Sequence, residues 1–240
     1  MATPPTHATY STPAVGFAVA TTPKTTPTFN VTINDIVVVI LNAEDMADVF
    51  STPTTTGSIS WTLRQSIQVA NYCAMYVWTG VVNSTQTGIT VTCARTSGSW
   101  YFGFGVTVWT AHGGLGVTGK ANAAGAPALA LTCSANSSIT TGSDDWYIVD
   151  GTTRTWLTVG ASPMTETLYS LVASHYAVYS AYTTDVGAAG SKTAGMSAPT
   201  GQAYAIVGVE ILGVATATAY PFGVTTPTPR YSTGISPVYG

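Results

Sequence analysis

A hydrolytic relay, a carboxylate cage for a cation, a zinc site and a phosphate-binding loop each need particular side chains at particular spacings. This chain of 240 residues holds raw material for all four. His7, His112 and His175, together with abundant serine and aspartate, are the parts of a Ser-His-Asp relay. No G-x-S-x-G elbow accompanies them and no helix backs one, so hydrolase chemistry is not expected. Glu44, Asp45 and Asp48 form the densest acidic group, and Asp144, Asp145 and Asp150 form a second. Carboxylates so placed suit Ca²⁺, yet neither group matches an EF-hand loop, and each reads as a solvated loop. Asp150-Gly151 reads as a hairpin turn.

Cys73, Cys93 and Cys133 lack the close pairing of a zinc site, and each falls in an alternating apolar segment. They read as buried thiols of a protein assembled in a reducing cytosol, with one disulfide and a spare thiol as the other option. The run Gly114-Leu-Gly-Val-Thr-Gly-Lys-Ala121 satisfies most of a phosphate-binding loop. Ala121 then stands where such a loop needs a hydroxyl for Mg²⁺, and Asn122 to Pro127 is a poor helix former. A flexible inter-strand loop is the better expectation, and no cofactor is expected. Trp61, Trp78, Trp100, Trp109, Trp146 and Trp156 offer faces for stacking on sugars. Their placement within strand patterns argues instead for core or subunit contact.

These side chains must be positioned by strands. Asp35-Ile-Val-Val-Val-Ile-Leu41 is apolar on both faces, as a central strand covered on each side must be. Tyr72 to Trp78 puts Tyr72, Tyr76 and Trp78 on one face and Cys73, Met75 and Val77 on the other, while Ile89, Val91 and Cys93 alternate with threonines. Further strands are expected at Trp100 to Trp109, Ala128 to Cys133, Trp146 to Val149, Tyr176 to Tyr182 and Ala203 to Leu212, each bounded by turn residues. The one helical turn expected is Ala43 to Phe50, too short to cover a sheet. The fold class is therefore all-β, a two-sheet antiparallel β-sandwich.

Composition narrows the function. Seven Lys+Arg and ten Asp+Glu make 7% of the chain, against roughly 25% for an ordinary soluble domain. No apolar run approaches the roughly 18 residues of a spanning helix, so no membrane partner is expected. The net charge of −3 and the scattered cations leave no basic stripe for nucleic acid. The N-terminal MATPPTHATYSTPAVG lacks the pattern of a secretory signal. The surface must then be Thr, Ser, Ala and Gly, which costs little to desolvate and suits packing into an assembly.

Three parts follow. Residues 1–30 are an extended Thr/Pro-rich arm, 31–214 a β-sandwich domain, and 215–240 a second arm bearing Pro221, Pro227, Pro229 and Pro237. Arms of this kind strap neighbouring subunits or pack back on their own domain. Aromatics within them have no core of their own, so Tyr10, Phe17, Tyr220, Phe222, Tyr231 and Tyr239 are the expected contact residues.

The succession of a doubly apolar strand at Asn34 to Asn42, Ser60-Trp-Thr-Leu63, the aromatic strand Tyr72 to Val82 and Thr87 to Cys93 resembles a β-sandwich domain common in structural proteins of tailed phages. The strand Trp100 to Trp109, Ala126 to Ser134, Gly142 to Val149, Arg154-Thr-Trp156 and the closing strand Tyr204 to Leu212 extend the likeness. The resemblance implies a jelly-roll-like sandwich and a non-enzymatic role in the virion, after assembly in the host cytoplasm. It supplies no catalytic residues. The expected partners are the major capsid protein and copies of the chain itself, as a homo-oligomer such as a trimer, with the chain decorating or cementing the head. The alternatives are a minor tail or tail-fibre protein binding host glycan or other tail subunits, and a secreted carbohydrate-active enzyme or its binding module. The enzyme would need two positioned carboxylates.

Overall fold

The computed structural model describes residues 2–8, 14–18, 22–44, 47–70, 72–98, 101–146, 154–172, 176–200 and 202–215. Within them the chain is all-β, with antiparallel pairing throughout and no helix. The first half lays down β1 (Ala2–Thr3), β2 (Thr6–His7), β3 (Ala14–Ala18), β4 (Lys24–Thr25), β5 (Phe29–Val31), β6 (Ile36–Ala43) and β7 (Val49–Phe50). It continues with β8 (Thr54–Thr55), β9 (Ile59–Val69), β10 (Cys73–Val82), β11 (Gln86–Ile89), β12 (Val91–Cys93), β13 (Arg95–Ser97) and β14 (Phe102–Thr110). The second half adds β15 (His112–Gly125), β16 (Ala128–Cys133), β17 (Ser138–Trp146), β18 (Thr155–Trp156), β19 (Thr158–Val159), β20 (Ser162–Pro163), β21 (Thr165–Val172), β22 (Tyr176–Thr183), β23 (Gly190–Ala198) and β24 (Gln202–Ala215).

Two six-stranded sheets dominate. One runs β14-β6-β10-β9, with β2 and β3 along the outer side of β14; the other runs β15-β24-β17-β22-β21, with β1 at the end of β24. Strand β6 is buried at all eight positions because both its faces are used. Ile36, Val38 and Ile40 join Met75, Val77 and Trp109 against Ala205, Val207, Val209 and Ile211 of the opposite sheet. Val37, Val39 and Leu41 pack outward on Phe29, Val31, Phe50, Ile89, Val91 and Cys93 from the short strands. The opposite sheet is covered in turn, where Ile139, Ala181 and Ile206 meet Leu129, Leu131, Cys133 and Ala194. The result is four layers, with the central strands of the two large sheets covered on both faces.

The two halves repeat one plan. In the first, the large sheet β3-β14-β6-β10-β9 is covered by the small sheet β4-β12-β8; in the second, β15-β24-β17-β22-β21 is covered by β16-β23-β18. Every strand in the first series has its counterpart, in order, in the second. The registers agree as well. Val39 faces Val106 and Thr141 faces Gly208, both members of the second pair being displaced from the first by one constant. The same constant carries Asn34 to Asn136, and both adopt the left-handed region, at φ of 71° and 52°. Asparagine tolerates that conformation where most residues do not. Asn34 N–H donates to Val82 O and Asn136 N–H to Gly187 O, while Asp35 O and Ser137 O accept from Val82 and Val186.

The large sheets meet back to back, and Ile40 lies against Gly142, its own counterpart. A Cβ added at Gly142 would collide with Ile40 Cγ2, so a large side chain on one side requires none on the other.

Several expectations change. Ala43 to Phe50 forms no helical turn over its described residues; it ends β6 and enters β7. Gly114 to Ala121 is no flexible loop but lies within the 14-residue strand β15. Asp144 and Asp145 are not in a loop either, since their backbone lies in β17 opposite Val178 and Ala177. Strand β23 carries too many Ser, Thr and Gly for its periodicity to stand out in the sequence, and the alternation of β21 is interrupted by a register shift between Glu166 and Leu168. The described parts of residues 1–30 pair with the domain's own sheets through β1 to β5. Residues 216–240 lie outside the described residues.

Candidate functional site

Two members of the first acidic group, Glu44 and Asp48, are buried rather than solvated, and Asp45 lies outside the described residues. Glu44 and Asp48 are 8% and 0% exposed. Their environment is built around Phe102. Lys24 Nζ donates to the Phe102 carbonyl and stands 4.4 Å from the ring centroid, and the Arg95 guanidinium is 5.2 Å from that centroid. Arg95 Nε approaches Asp48 Oδ1 at 3.6 Å, with both side chains almost fully buried. Glu44 Oε2 accepts from Tyr101 N–H at 3.3 Å, and the Tyr76 hydroxyl donates to the Asp48 carbonyl at 3.1 Å. Burial, helped by Arg95, pushes the Lys24 pKa down to about 8. Lys24 and Arg95 come from β4 and β13 in the outer layer, far from Asp48 in sequence, so no local pattern announces them. The cluster neutralises buried charge at the end of β6; among the described residues no group of three His, Cys, Asp or Glu could hold a metal ion.

One glycine of β15, Gly116, makes room for a carboxylate. Glu210 is 1% exposed on β24. Its Oε2 accepts from Val117 N–H at 3.0 Å and its Oε1 from Ser134 N–H at 2.6 Å. The β15 register slips between Leu115 and Thr118, and a Cβ at Gly116 would strike the Glu210 carboxylate. Sequence reasoning passed over Glu210. Its one signal was a lone acid between Val209 and Ile211, where alternation would place a core residue.

The cysteines are free and buried, in three different clusters, so they form no common site. Burial pushes the Cys93 thiol up, and burial with Glu210 nearby lifts Cys133 to about 11. The parts of the relay stand apart too. His112 Nε2 is 2.7 Å from Asn34 O and its Nδ1 accepts from Gly114 N–H, while His7 stacks on Tyr182. His175 lies outside the described residues. Trp78 and Trp109 are buried, and Trp61 and Trp156 pack half-buried against the cores; Trp100 and the Trp146 side chain lie outside the described residues. So do Tyr10, Tyr220, Phe222, Tyr231 and Tyr239. Phe17 sits on β3, whose backbone pairs with β14.

What remains for contact is the outer surface. Among the described residues, the charged side chains classed as exposed are Arg64 and Lys120 alone. Lys120 Nζ is tied to Ser66 O at 2.8 Å. The Arg154 guanidinium carbon lies 3.8 Å from the Tyr169 ring centroid, and Glu166 grips it through two bonds of 2.7 and 3.0 Å. Large apolar side chains such as Ile33, Leu63, Val81 and Val117 are exposed singly. The long outer strands β9 and β15 each pair on one side, among the described residues, leaving a row of backbone donors and acceptors along the other. Among the described residues no helix is long and apolar enough to cross a membrane. No family model, curated protein or solved structure matches this chain.

Proposed function

We propose that this chain is a non-enzymatic structural protein of a tailed-phage virion, a jelly-roll-like β-sandwich that decorates or cements the head by binding the major capsid protein and further copies of itself. The observation that carries the reading is the nearly uncharged surface. Of the few charged side chains described, five are buried and only Arg64 and Lys120 are exposed, which leaves a surface poor in charge. Such a surface is poorly repelled from its neighbours and loses little on desolvation. The jelly-roll-like reading is supported by the way the chain alternates between a large and a small sheet in each half. The minor-tail alternative keeps the same surface logic, with a tail subunit or glycan as the partner.

Electron microscopy and quantitative mass spectrometry of purified particles test the proposal. Hundreds of copies distributed over the shell are expected. A ring of a few copies at the tail supports the alternative instead, and absence from particles overturns both.

A further inference from the structure

Residues Ala2 to Ala8 cross the seam between the halves. At one end Ala2 and Thr3 pair with Ala215 and Val214 of β24, and Asn136 Nδ2 donates to Ala2 O at 2.8 Å. At the other, His7 and Thr6 pair with Trp109 and Thr110 of β14, and Ala8 N–H donates to Val108 O at 2.9 Å. The segment is therefore a strap, fixed to the second half's sheet at its start and to the first half's at its end. Two register pairs at each end make it a weak attachment by backbone bonding alone.

His7 supplies the rest. Its ring is 9% exposed, stacked on Tyr182 at 3.9 Å and 12°, and edge-on to Trp109 at 5.2 Å; Trp109 meets Tyr182 edge-on at 5.5 Å. The three rings come from the strap, the first half and the second half, and they lock the seam. His7 Nε2 is buried without a hydrogen-bond partner among the described residues. The ionisable groups facing it are Tyr182, on β22, and Asp185, which lines the same cleft beside Pro4 and Pro5 and whose Oδ1 is engaged by Gly187 N–H at 2.7 Å. A neutral imidazole fits this place better than an imidazolium, because no described group accepts an N–H from Nε2 and the ring is sandwiched against aromatic faces.

We infer that the N-terminal strap is an acid-released latch: protonation of His7 expels its ring from the Tyr182-Trp109 pocket, frees Ala2 to Ala8, and leaves the outer edge of β14 unpaired at Trp109 and Thr110.

The sign follows from linkage. Burial lowers the His7 pKa to about 4 from an ordinary 6.5, so the latched form is fully favoured above 6.5 and loses its advantage as pH falls towards 4. Between pH 7.5 and pH 5 the ratio of latched to released strap should fall roughly 30-fold.

Hydrogen exchange on the full chain, corrected for the intrinsic pH dependence, reads this at the Ala8 amide. The expected result is a loss of protection of that order in the unmodified protein, none in His7→Phe, which keeps an aromatic ring but cannot titrate, and an unchanged loss in Asp185→Asn. NMR titration of the His7 ring in the unmodified protein gives a second reading that does not depend on a variant folding, with a midpoint well below 6.5 expected. A midpoint near 6.5, a protection that ignores pH, or a response surviving in His7→Phe or abolished in Asp185→Asn overturns the latch.

Discussion

Strands β6 and β17 occupy the same place in the two halves, and they share almost no chemistry. The first reads Ile-Val-Val-Val-Ile-Leu-Asn-Ala and is buried throughout; the second begins Ser-Ile-Thr-Thr-Gly-Ser. Both are central and covered on two sides. The difference lies in what faces each across the seam: Ile40 fills the space that Gly142 leaves. A symmetric pair of such sheets would set isoleucine against isoleucine at the axis. The fused chain can divide the volume unequally, so the second half becomes small and polar where the first is large and apolar. An unpatterned segment can thus be a core strand when its partner supplies the bulk.

That comparison can be broken at graded cost. The largest effect belongs to the first half, whose buried ion cluster has no counterpart among the described residues of the second. Asp48→Ala strands the buried Arg95 and should cost about 3–5 kcal/mol, measured by urea unfolding. A loss within about 0.5 kcal/mol would show that the cluster is not a buried charge balance. The second half's own device comes next. Glu210→Gln sets an amide NH2 against one of the two N–H groups and should cost about 1.5–3 kcal/mol, with faster exchange at Val117 or Ser134. At the seam, Gly142→Val overpacks against Ile40 and should cost about 1–3 kcal/mol. Adding Ile40→Ala should make the pair cheaper than the sum of the two single changes, and strict additivity would mean that the two positions do not share that volume. The smallest effect is at the surface: Val117→Lys, at an exposed bulge position, should change the unfolding free energy by no more than about 0.5 kcal/mol while adding a charge beside the β15 edge.

Much of the fold was legible because strand chemistry is local. The doubly apolar run at Ile36, the alternation at Ile89 to Cys93, the hydrophobic Ala128 to Cys133 and the closing strand near Ala203 each declare themselves within a few residues. The Gly-rich β15 did not, because glycine carries no periodicity and the reason for Gly116, the Glu210 carboxylate, lies far along the chain. Of the expected arm contacts only Phe17 falls among the described residues, on β3, and the described start of the chain engages its own sheets.

By itself, then, the sequence determined the all-β class, the buried state of the cysteines and the scarcity of charge, all of which follow from residue type and short-range pattern. Tertiary structure alone decided that the chain is one plan used twice, that Lys24 and Arg95 meet Asp48, that Ile40 answers Gly142, and that His7 closes the seam. Each of these joins residues far apart in sequence through packed volume or buried charge, and neither quantity exists until the two sheets have come together.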